Sequence, residues 1–149
     1  MADIRDLGRA ALAAAGLLLL ATAPAWAGST ERVSISSSGK QGNDVSLNPA
    51  ISADGRFVAF ASDASDLVPG DTNGIDCSAC GKDVFIRDRR TGTTERVSIS
   101  SKGVQGNGSS GDFGVALSRS GRFVAFTSDA TTLVPGDTNG TADVFVHTR

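Results

Sequence analysis

Residues 122–140 read RFVAFTSDATTLVPGDTNG and restate residues 56–74, RFVAFASDASDLVPGDTNG, with 16 of 19 positions identical. The two copies begin 66 residues apart in a chain of 149 residues. Identity this high at a fixed spacing is the signature of a repeat architecture, in which each copy is one structural unit that packs against the next. The chain therefore contains two copies of one unit, and every motif has to be interpreted in both.

The RFVAF part of this stretch predicts a strand that is buried on both faces. In residues 56–62 and 122–128 the apolar side chains occupy consecutive positions, so that they point to both sides of a sheet. A strand covered on both sides lies inside a packed structure, for example in a sheet stacked between two neighbouring sheets. We therefore expect both copies to lie in stacked sheets.

Three further predicted strands complete each unit, and all of them occur twice. They are a short apolar strand (residues 49–52 and 115–118), a DVF-type strand (83–88 and 143–148) and a TERVSIS-type strand (30–37 and 94–101). Gly55 and Gly121 predict tight turns that need a positive φ angle. No helical apolar stripe follows residue 27, so we expect an all-β fold of two four-stranded antiparallel units, at about residues 30–93 and 94–149.

Short antiparallel strands that repeat in sets of four are typical of β-propeller blades. The motifs S-x-D/S-G-R-F-V-A-F-x-S, D-T-N-G and D-V-F-V resemble those of the TolB-like β-propeller repeats of secreted and periplasmic bacterial proteins. The resemblance covers nearly the whole chain after residue 27. It implies propeller blades and an extracytoplasmic location, but no single function.

The strand count creates a problem for a closed propeller. Eight predicted strands make two blades, whereas closed propellers have roughly 4–8. The first TERVSIS strand has no DVF strand before it, and the last DVF strand has no TERVSIS strand after it. Either the chain is a fragment of a longer propeller, or strand exchange between two to four copies closes a ring and removes the open edges.

The first 27 residues predict a signal peptide. Arg5 and Arg9 precede the uncharged apolar residues 10–23, and Ala25-Trp26-Ala27 gives a small-x-small cleavage site. The alternative is a membrane anchor, but the apolar run is shorter than a spanning helix requires. We expect an extracytoplasmic protein that is free of the membrane after cleavage. The net charge is −2 and the basic residues are scattered along the sequence, which disfavours nucleic acid as a partner.

The D-T-N-G loops contain candidate ligands for calcium. Asp137, Asn139 and Asp143 place side-chain oxygens at positions 1, 3 and 7, as short loops around this cation do. In the first copy the corresponding residues are Asp71, Asn73 and Asp83. The pattern departs from the EF-hand loop, and the alternative is an Asx-turn that satisfies its own backbone.

Six additional residues in the first copy carry the only cysteines, Cys77 and Cys80. A C-x-x-C spacing occurs in zinc half-sites, redox pairs and local disulfides. Zinc would need ligands from another chain, since there is one histidine, and the βαβ context of a redox pair is absent. We predict a disulfide that shapes the tip of this loop.

No catalytic residues are predicted. His147 is the single histidine, and no nucleophile motif or paired acid accompanies it. The expected function is an exported, non-catalytic binding module, with loops that contact a protein or a cell-envelope polymer. The alternatives are a severed propeller from a secreted hydrolase or lyase, and a gene remnant.

Overall fold

The protein is all-β in the part of the chain that the structure describes. This structure, a computed structural model, describes residues 28–73 and 81–149, and Glu31–Arg149 form one compact unit. The predicted signal peptide and the Cys77 and Cys80 pair lie outside the described residues. Within residues 28–73 and 81–149 there is no helix, and thus none long and apolar enough to cross a membrane.

Seven strands form two antiparallel sheets, which we call the first and the second sheet. The strands are β1 (Ser46–Ile51), β2 (Phe57–Ser62), β3 (Asp83–Asp88), β4 (Thr93–Arg96), β5 (Ser110–Leu117), β6 (Phe123–Ser128) and β7 (Asp143–Thr148). The first sheet has the order β1-β2-β3-β4, and the second has the order β5-β6-β7. Neighbours in each sheet are consecutive in sequence and antiparallel. Short turns join β1 to β2, β3 to β4 and β5 to β6, whereas longer connections join β2 to β3 and β6 to β7.

The predicted DVF strands and the turns after the short apolar strands are confirmed. Strands β3 and β7 have the predicted bounds, and Gly55 and Gly121 have φ angles of 70° and 72°. The hydroxyl of Ser52 accepts a hydrogen bond from the amide of Phe57 (2.9 Å), and Ser118 does the same for Phe123 (3.0 Å). These serines close the two tight turns, which is why the same sequence gives the same hairpin twice.

Two predictions about strand number are wrong. Residues 30–37 do not form a strand, because their backbone makes only an isolated bridge, between Ile35 and Gln41. The second sheet has three strands instead of four in the described chain, because the TERVSIS motif predicted for the second unit pairs with β3 of the first sheet as β4. In the second copy, β4 covers only the first half of the TERVSIS motif and the chain then leaves the sheet.

The second copy has two more residues than the first between its TERVSIS and RFVAF motifs. The pairing of β5 with β6 shifts register between Ser110 and Val115. The equivalent shift between β1 and β2, from Leu47 to Ala50, is smaller. The insertion is therefore a wider bulge within β5, which bends that strand.

The main core lies between the sheets. Phe57, Ala59, Val84 and Ile86 of the first sheet share one apolar cluster with Val124 and Phe126 of the second and with Val97, Ala130 and Leu133 of the connecting segments. Full burial of a valine, leucine, isoleucine or phenylalanine side chain contributes about 1.5–3 kcal/mol to the free energy of unfolding. This layer supplies a large part of the apolar burial, so the two sheets stabilise each other.

Glycine permits the closest approach between the sheets. A Cβ atom at Gly121 would lie 2.2 Å from Cδ2 of Phe57, and one at Gly111 would lie 2.7 Å from Cβ of Ala61. No side chain larger than hydrogen fits at these two points without displacement of the opposite sheet. Both glycines have positive φ angles as well.

The prediction of burial on both faces holds for β2 and not for β6. Every residue of β2 and β3 is buried, because connecting segments cover the outer face of the first sheet. In β6 buried residues alternate with exposed or partly buried ones, and in β7 partly buried residues alternate with exposed ones. One face of the second sheet therefore remains exposed, with Val144 at 74% and Val146 at 64% of their full accessible area.

Each TERVSIS motif and the segment after it make the same contacts in both copies. The amide of Gly42 donates to the carbonyl oxygen of Ser34, and Gly106 donates to Ser98, both at 3.1 Å. Glu31 binds Arg89 of the first sheet, as Glu95 binds Arg149 of the second. The repeat in sequence is thus a repeat of packing, although residues 31–36 form no strand.

Candidate functional site

The first D-T-N-G loop brings its three predicted ligands together. Asp71, Asn73 and Asp83 surround the side-chain amide of Gln105, which comes from the segment after β4. The Gln105 Nε2 atom donates to Asp71 Oδ1 and Asp83 Oδ2, each at 3.0 Å, and contacts Asn73. The backbone amide of Thr72 donates to Gln105 Oε1 at 3.3 Å. The connection after β2 is in this way bound to the segment after β4.

Arg96 supplies the positive charge for this cluster. Its guanidinium lies 3.5 Å from Asp71 Oδ2 and 3.4 Å from Asp83 Oδ2. Burial nevertheless raises the pKa of Asp83 to about 6, against the opposite effects of the Ser98 hydroxyl and Arg96. Burial raises the pKa of Asp71 as well, and the charge of Arg96 opposes this shift. We call these five residues, Asp71, Asn73, Asp83, Arg96 and Gln105, the junction cluster.

The side chains of the junction cluster bind one another. The Gln105 amide nitrogen lies between the Asp71 and Asp83 carboxylates, and Arg96 offsets one of their two negative charges. Residues 28–73 and 81–149 contain no group of three or more histidine, cysteine, aspartate or glutamate side chains placed to hold a metal. The hydrogen bonds of Gln105 make the first loop part of a polar crosslink between two segments, and calcium binding stays a prediction.

In the second copy the equivalent residues line an open cleft. Asn139 Nδ2 donates to Asp143 Oδ2 at 2.9 Å, and Asn139 Oδ1 accepts from the amide of Thr141 at 3.0 Å. Asp137 and Asp143 are only partly buried, and both line this cleft of about 550 Å³. Among the described residues, no arginine or glutamine side chain hydrogen-bonds Asp137, Asn139 or Asp143, whereas Arg96 and Gln105 contact Asp71 and Asp83 in the first copy.

His147 lies in β7 at the position that Arg87 has in β3. Burial, and secondarily the charge of Arg149, lower the pKa of His147. It lines a cleft of about 600 Å³ together with Ser101 and Phe145. Among the described residues no hydrogen bond joins His147 to a serine or to a carboxylate, so the structure does not assemble a base with a nucleophile.

Arginines gather at one end of both sheets, which we call the turn end. It consists of the turns that join β1 to β2, β3 to β4 and β5 to β6, together with the residue after β7. Its arginines are Arg56, Arg89, Arg90, Arg119, Arg122 and Arg149. The opposite end carries the connections after β2 and β6 and the first residues of β3 and β7, with the carboxylates Asp63, Asp66, Asp71, Asp83, Asp129, Asp137 and Asp143. The turn end is thus rich in arginine and the opposite end in aspartate, although charges of both signs are scattered along the sequence.

Half of the turn-end arginines are neutralised. Arg56 binds Asp88 through two hydrogen bonds, of 3.0 and 2.5 Å, and holds the pKa of that carboxyl well below its usual range. Arg89 and Arg149 bind Glu31 and Glu95, as described above. Arg90, Arg119 and Arg122 take part in no ion pair with any described residue, and all three are exposed.

Sequence reasoning missed Arg96, Gln105 and the turn end. Arg96 and Gln105 are distant from the D-T-N-G loop in sequence, so only the chain's path after β4 brings them to Asp71 and Asp83. The turn end was predictable in principle, because alternate hairpins of an up-and-down sheet lie at the same end. Assigning each charge to its end of the sheet would have shown the segregation.

No protein-family model matches the chain, and a search of curated proteins finds no significant match. The TolB-like resemblance therefore stays an interpretation of the repeat motifs.

The buried carboxyl of Asp83 predicts how stability depends on pH. Its folded pKa of about 6 exceeds the unfolded value of about 3.9, so the folded state binds more protons between these values. The free energy of unfolding should therefore fall as pH rises from about 4 to 6, by up to about 3 kcal/mol, and then level off. Urea unfolding of the wild type and Asp83→Asn across pH 4–7 measures this. The difference between the two curves should change over this window, and parallel curves would contradict the assignment.

Calcium binding at the D-T-N-G loops predicts a stabilised protein. Extracellular-type sites have dissociation constants of about 10⁻⁴ M, so about 10 mM Ca²⁺ should add about 2.7 kcal/mol and raise the melting temperature by several degrees. Thermal melts in Ca²⁺, in Mg²⁺ and in chelator test this, and Asp137→Asn should abolish the shift if the second loop is the site. A melting temperature that is the same in Ca²⁺ and in chelator would contradict calcium binding.

Proposed function

We propose that the protein is an exported, non-catalytic binding module of TolB-like propeller type whose turn end holds a negatively charged partner. The observation that carries this proposal is the group of three exposed turn-end arginines that make no ion pair with any described residue, Arg90, Arg119 and Arg122. The partner is a protein segment or a cell-envelope polymer that carries carboxylate, sulfate or phosphate groups. The signal-peptide pattern of residues 1–27 supports the exported location.

A preformed cleft at the turn end supports this role. The amide of Ala53 donates to the carbonyl oxygen of Arg119 at 3.0 Å, which joins the first turn of each sheet. Between these turns lies a cleft of about 580 Å³ lined by Asp54, Arg119 and Phe123 among others. Arginine and aromatic residues are enriched in binding interfaces. The guanidinium of Arg122 lies 5.4 Å from the centre of the Phe123 ring, which orients this arginine at the rim.

The surroundings of His147 support a role without catalysis. General-base catalysis needs the base within hydrogen-bond reach of a nucleophile, with a third group that orients the base. In the described part of the chain His147 has neither partner, and its lowered pKa follows from burial and from Arg149. The binding role therefore uses the charge arrangement of the fold, and no reaction is assigned.

The turn-end arginines predict binding to a polyanion. Dextran sulfate should bind the wild type, whereas neutral dextran should not, and added salt should weaken the complex because exposed charges are screened. Removal of two of the three free arginines in Arg119→Ala/Arg122→Ala should weaken binding by about tenfold or more. Fluorescence anisotropy with labelled polymer measures both effects.

The matched control is Lys40→Ala/Lys102→Ala, which likewise removes two exposed positive charges, both outside the turn end. It should leave binding near the wild-type value. If the arginine variant and the control lose affinity equally, general charge and not the turn end attracts the polymer, and the proposal fails.

A further inference from the structure

The second sheet is incomplete along one edge and on one face. Strand β7 pairs with β6 and with no other strand of the described chain, whereas β3 pairs with β4 on its corresponding side. In the first sheet the amide of Val97 donates to the carbonyl oxygen of Val84 at 2.8 Å. The matching backbone groups of Val144 point to the open edge. Exposed strand edges and apolar faces are the features that other chains bind.

The contact between the two sheets shows what fits this surface. Phe57, Val84 and Ile86 are buried in that contact. Their counterparts in the second sheet, Phe123, Val144 and Val146, are exposed. Because the two sequences are nearly identical, the exposed face of the second sheet has the same side-chain pattern as the face of the first sheet that the second sheet covers. Its natural occupant has the structure that covers the first sheet, namely a β5-type strand with the segment that precedes it.

The chain carries a second copy of that occupant, in residues 31–51. Ile51 of β1 is 60% exposed, while its counterpart Leu117 in β5 packs on the core between the sheets. Val45 is exposed as well, and its counterpart Ser109 is buried. Five of the eight large exposed apolar residues in the described chain belong to these two surfaces. They are Val45, Ile51, Phe123, Val144 and Val146.

The junction cluster exists a second time as two separated halves. Asp137, Asn139 and Asp143 repeat its acidic half and line the cleft beside β7. Arg32 and Gln41 repeat Arg96 and Gln105, and both belong to the segment that precedes β1. Within one chain they lie on the far side of the first sheet, where Arg32 hydrogen-bonds Gln41 itself. The two halves are complementary in charge, and neither is complete alone.

The cleft at the edge of β7 is lined by the counterparts of residues that bind β4 in the first sheet. In the first sheet, Thr94 of β4 donates from Oγ1 to the carbonyl oxygen of Ile35 (2.6 Å), and its amide donates to Ser37 Oγ (2.9 Å). The counterparts of these two acceptors are Ile99 and Ser101, which line the cleft of about 600 Å³. The sequence that would bring a threonine there is TERVSIS, and its first copy begins at residue 30.

We infer that a second copy of this chain docks head to tail on the second sheet. Residues 30–34 of the incoming copy pair with β7 as the fourth strand, its β1 edge covers Val144 and Val146, and its Arg32 and Gln41 complete the cluster at Asp137 and Asp143. The contact is heterologous, so each copy uses one surface and leaves the other free until the assembly closes. Two to four copies would close a ring of four to eight sheets.

This self-association goes beyond the proposed binding role and does not depend on it. The turn end of every copy faces the same side of such an assembly, so association multiplies the arginine surface without covering Arg90 or Arg119. Failure of self-association would leave the polyanion measurement on a single copy valid. Failure of polyanion binding would leave the mass of the assembly unchanged.

Light scattering after size exclusion tests the inference with protein purified from the full-length gene. The wild type should have two to four times the mass of one copy at high concentration. Val146→Lys disables the β7 surface and Ile51→Lys disables the β1 surface, and both residues are exposed, so each variant should stay folded by circular dichroism. Each should be a monomer, with association weakened by about 30-fold or more. The control Val104→Lys, which places lysine where the first copy has Lys40, should associate as the wild type does.

A mixture of the two variants distinguishes the head-to-tail contact from any other. Val146→Lys keeps an intact β1 surface and Ile51→Lys keeps an intact β7 surface, so the mixture should form a dimer that grows no further. A wild type that is monomeric at all concentrations would overturn the inference, because another occupant, such as a following repeat of a longer chain, would then have to cover the face. Association that survives Val146→Lys, or variants that form no dimer when mixed, would also overturn it.

Discussion

The fold depends on one apolar layer, the contact of Phe57, Val84 and Ile86 in the first sheet with Val124 and Phe126 in the second. Neither sheet can bury this surface alone, and a small sheet with two wet faces is marginally stable. The layer fixes which face of each sheet points inward and brings the connecting segments into place. The junction cluster and the alignment of the two turns that bear Arg119 and Asp54 follow from this stacking.

Nearly identical sequences meet different environments in the two copies. Val84 is fully buried, whereas Val144, which occupies the same position of the same motif, is among the most exposed apolar residues. The difference lies in the neighbours, because the first sheet lies between the second sheet and the segment of residues 31–42, and the second sheet has a neighbour on one face only. The polar loops show the same contrast, with one complete cluster and one that lacks its arginine and glutamine. The local sequence determines that a strand forms, and the neighbouring sheet or segment determines whether its side chains are buried.

The sequence predicted what depends on local pattern. The bounds of β3 and β7, the buried character of β2, the turns at Gly55 and Gly121 and the all-β class follow from alternation, apolar runs and glycine. The wrong predictions concern long-range pairing: residues 30–37 have the pattern of a strand but no partner strand in their own chain. Gln105 and Arg96 could not be found beside Asp71, because the path of the chain after β4 decides that contact. The exposed face of β6 was missed because apolar residues alone do not show whether a neighbour is present.

The stacking of the two sheets is tested most directly by two alanine substitutions at glycines with the same backbone conformation. Gly121 and Gly136 have φ angles of 72° and 80°, so alanine strains the backbone of both, by about 1–2 kcal/mol. A Cβ atom at Gly121 also collides with Phe57 of the other sheet, while nothing lies within 4 Å of one at Gly136. Urea unfolding should show Gly121→Ala less stable than Gly136→Ala by a further 1–3 kcal/mol or so, about the cost of overpacking. Equal losses of stability would contradict the face-to-face contact at Phe57 on which the account rests.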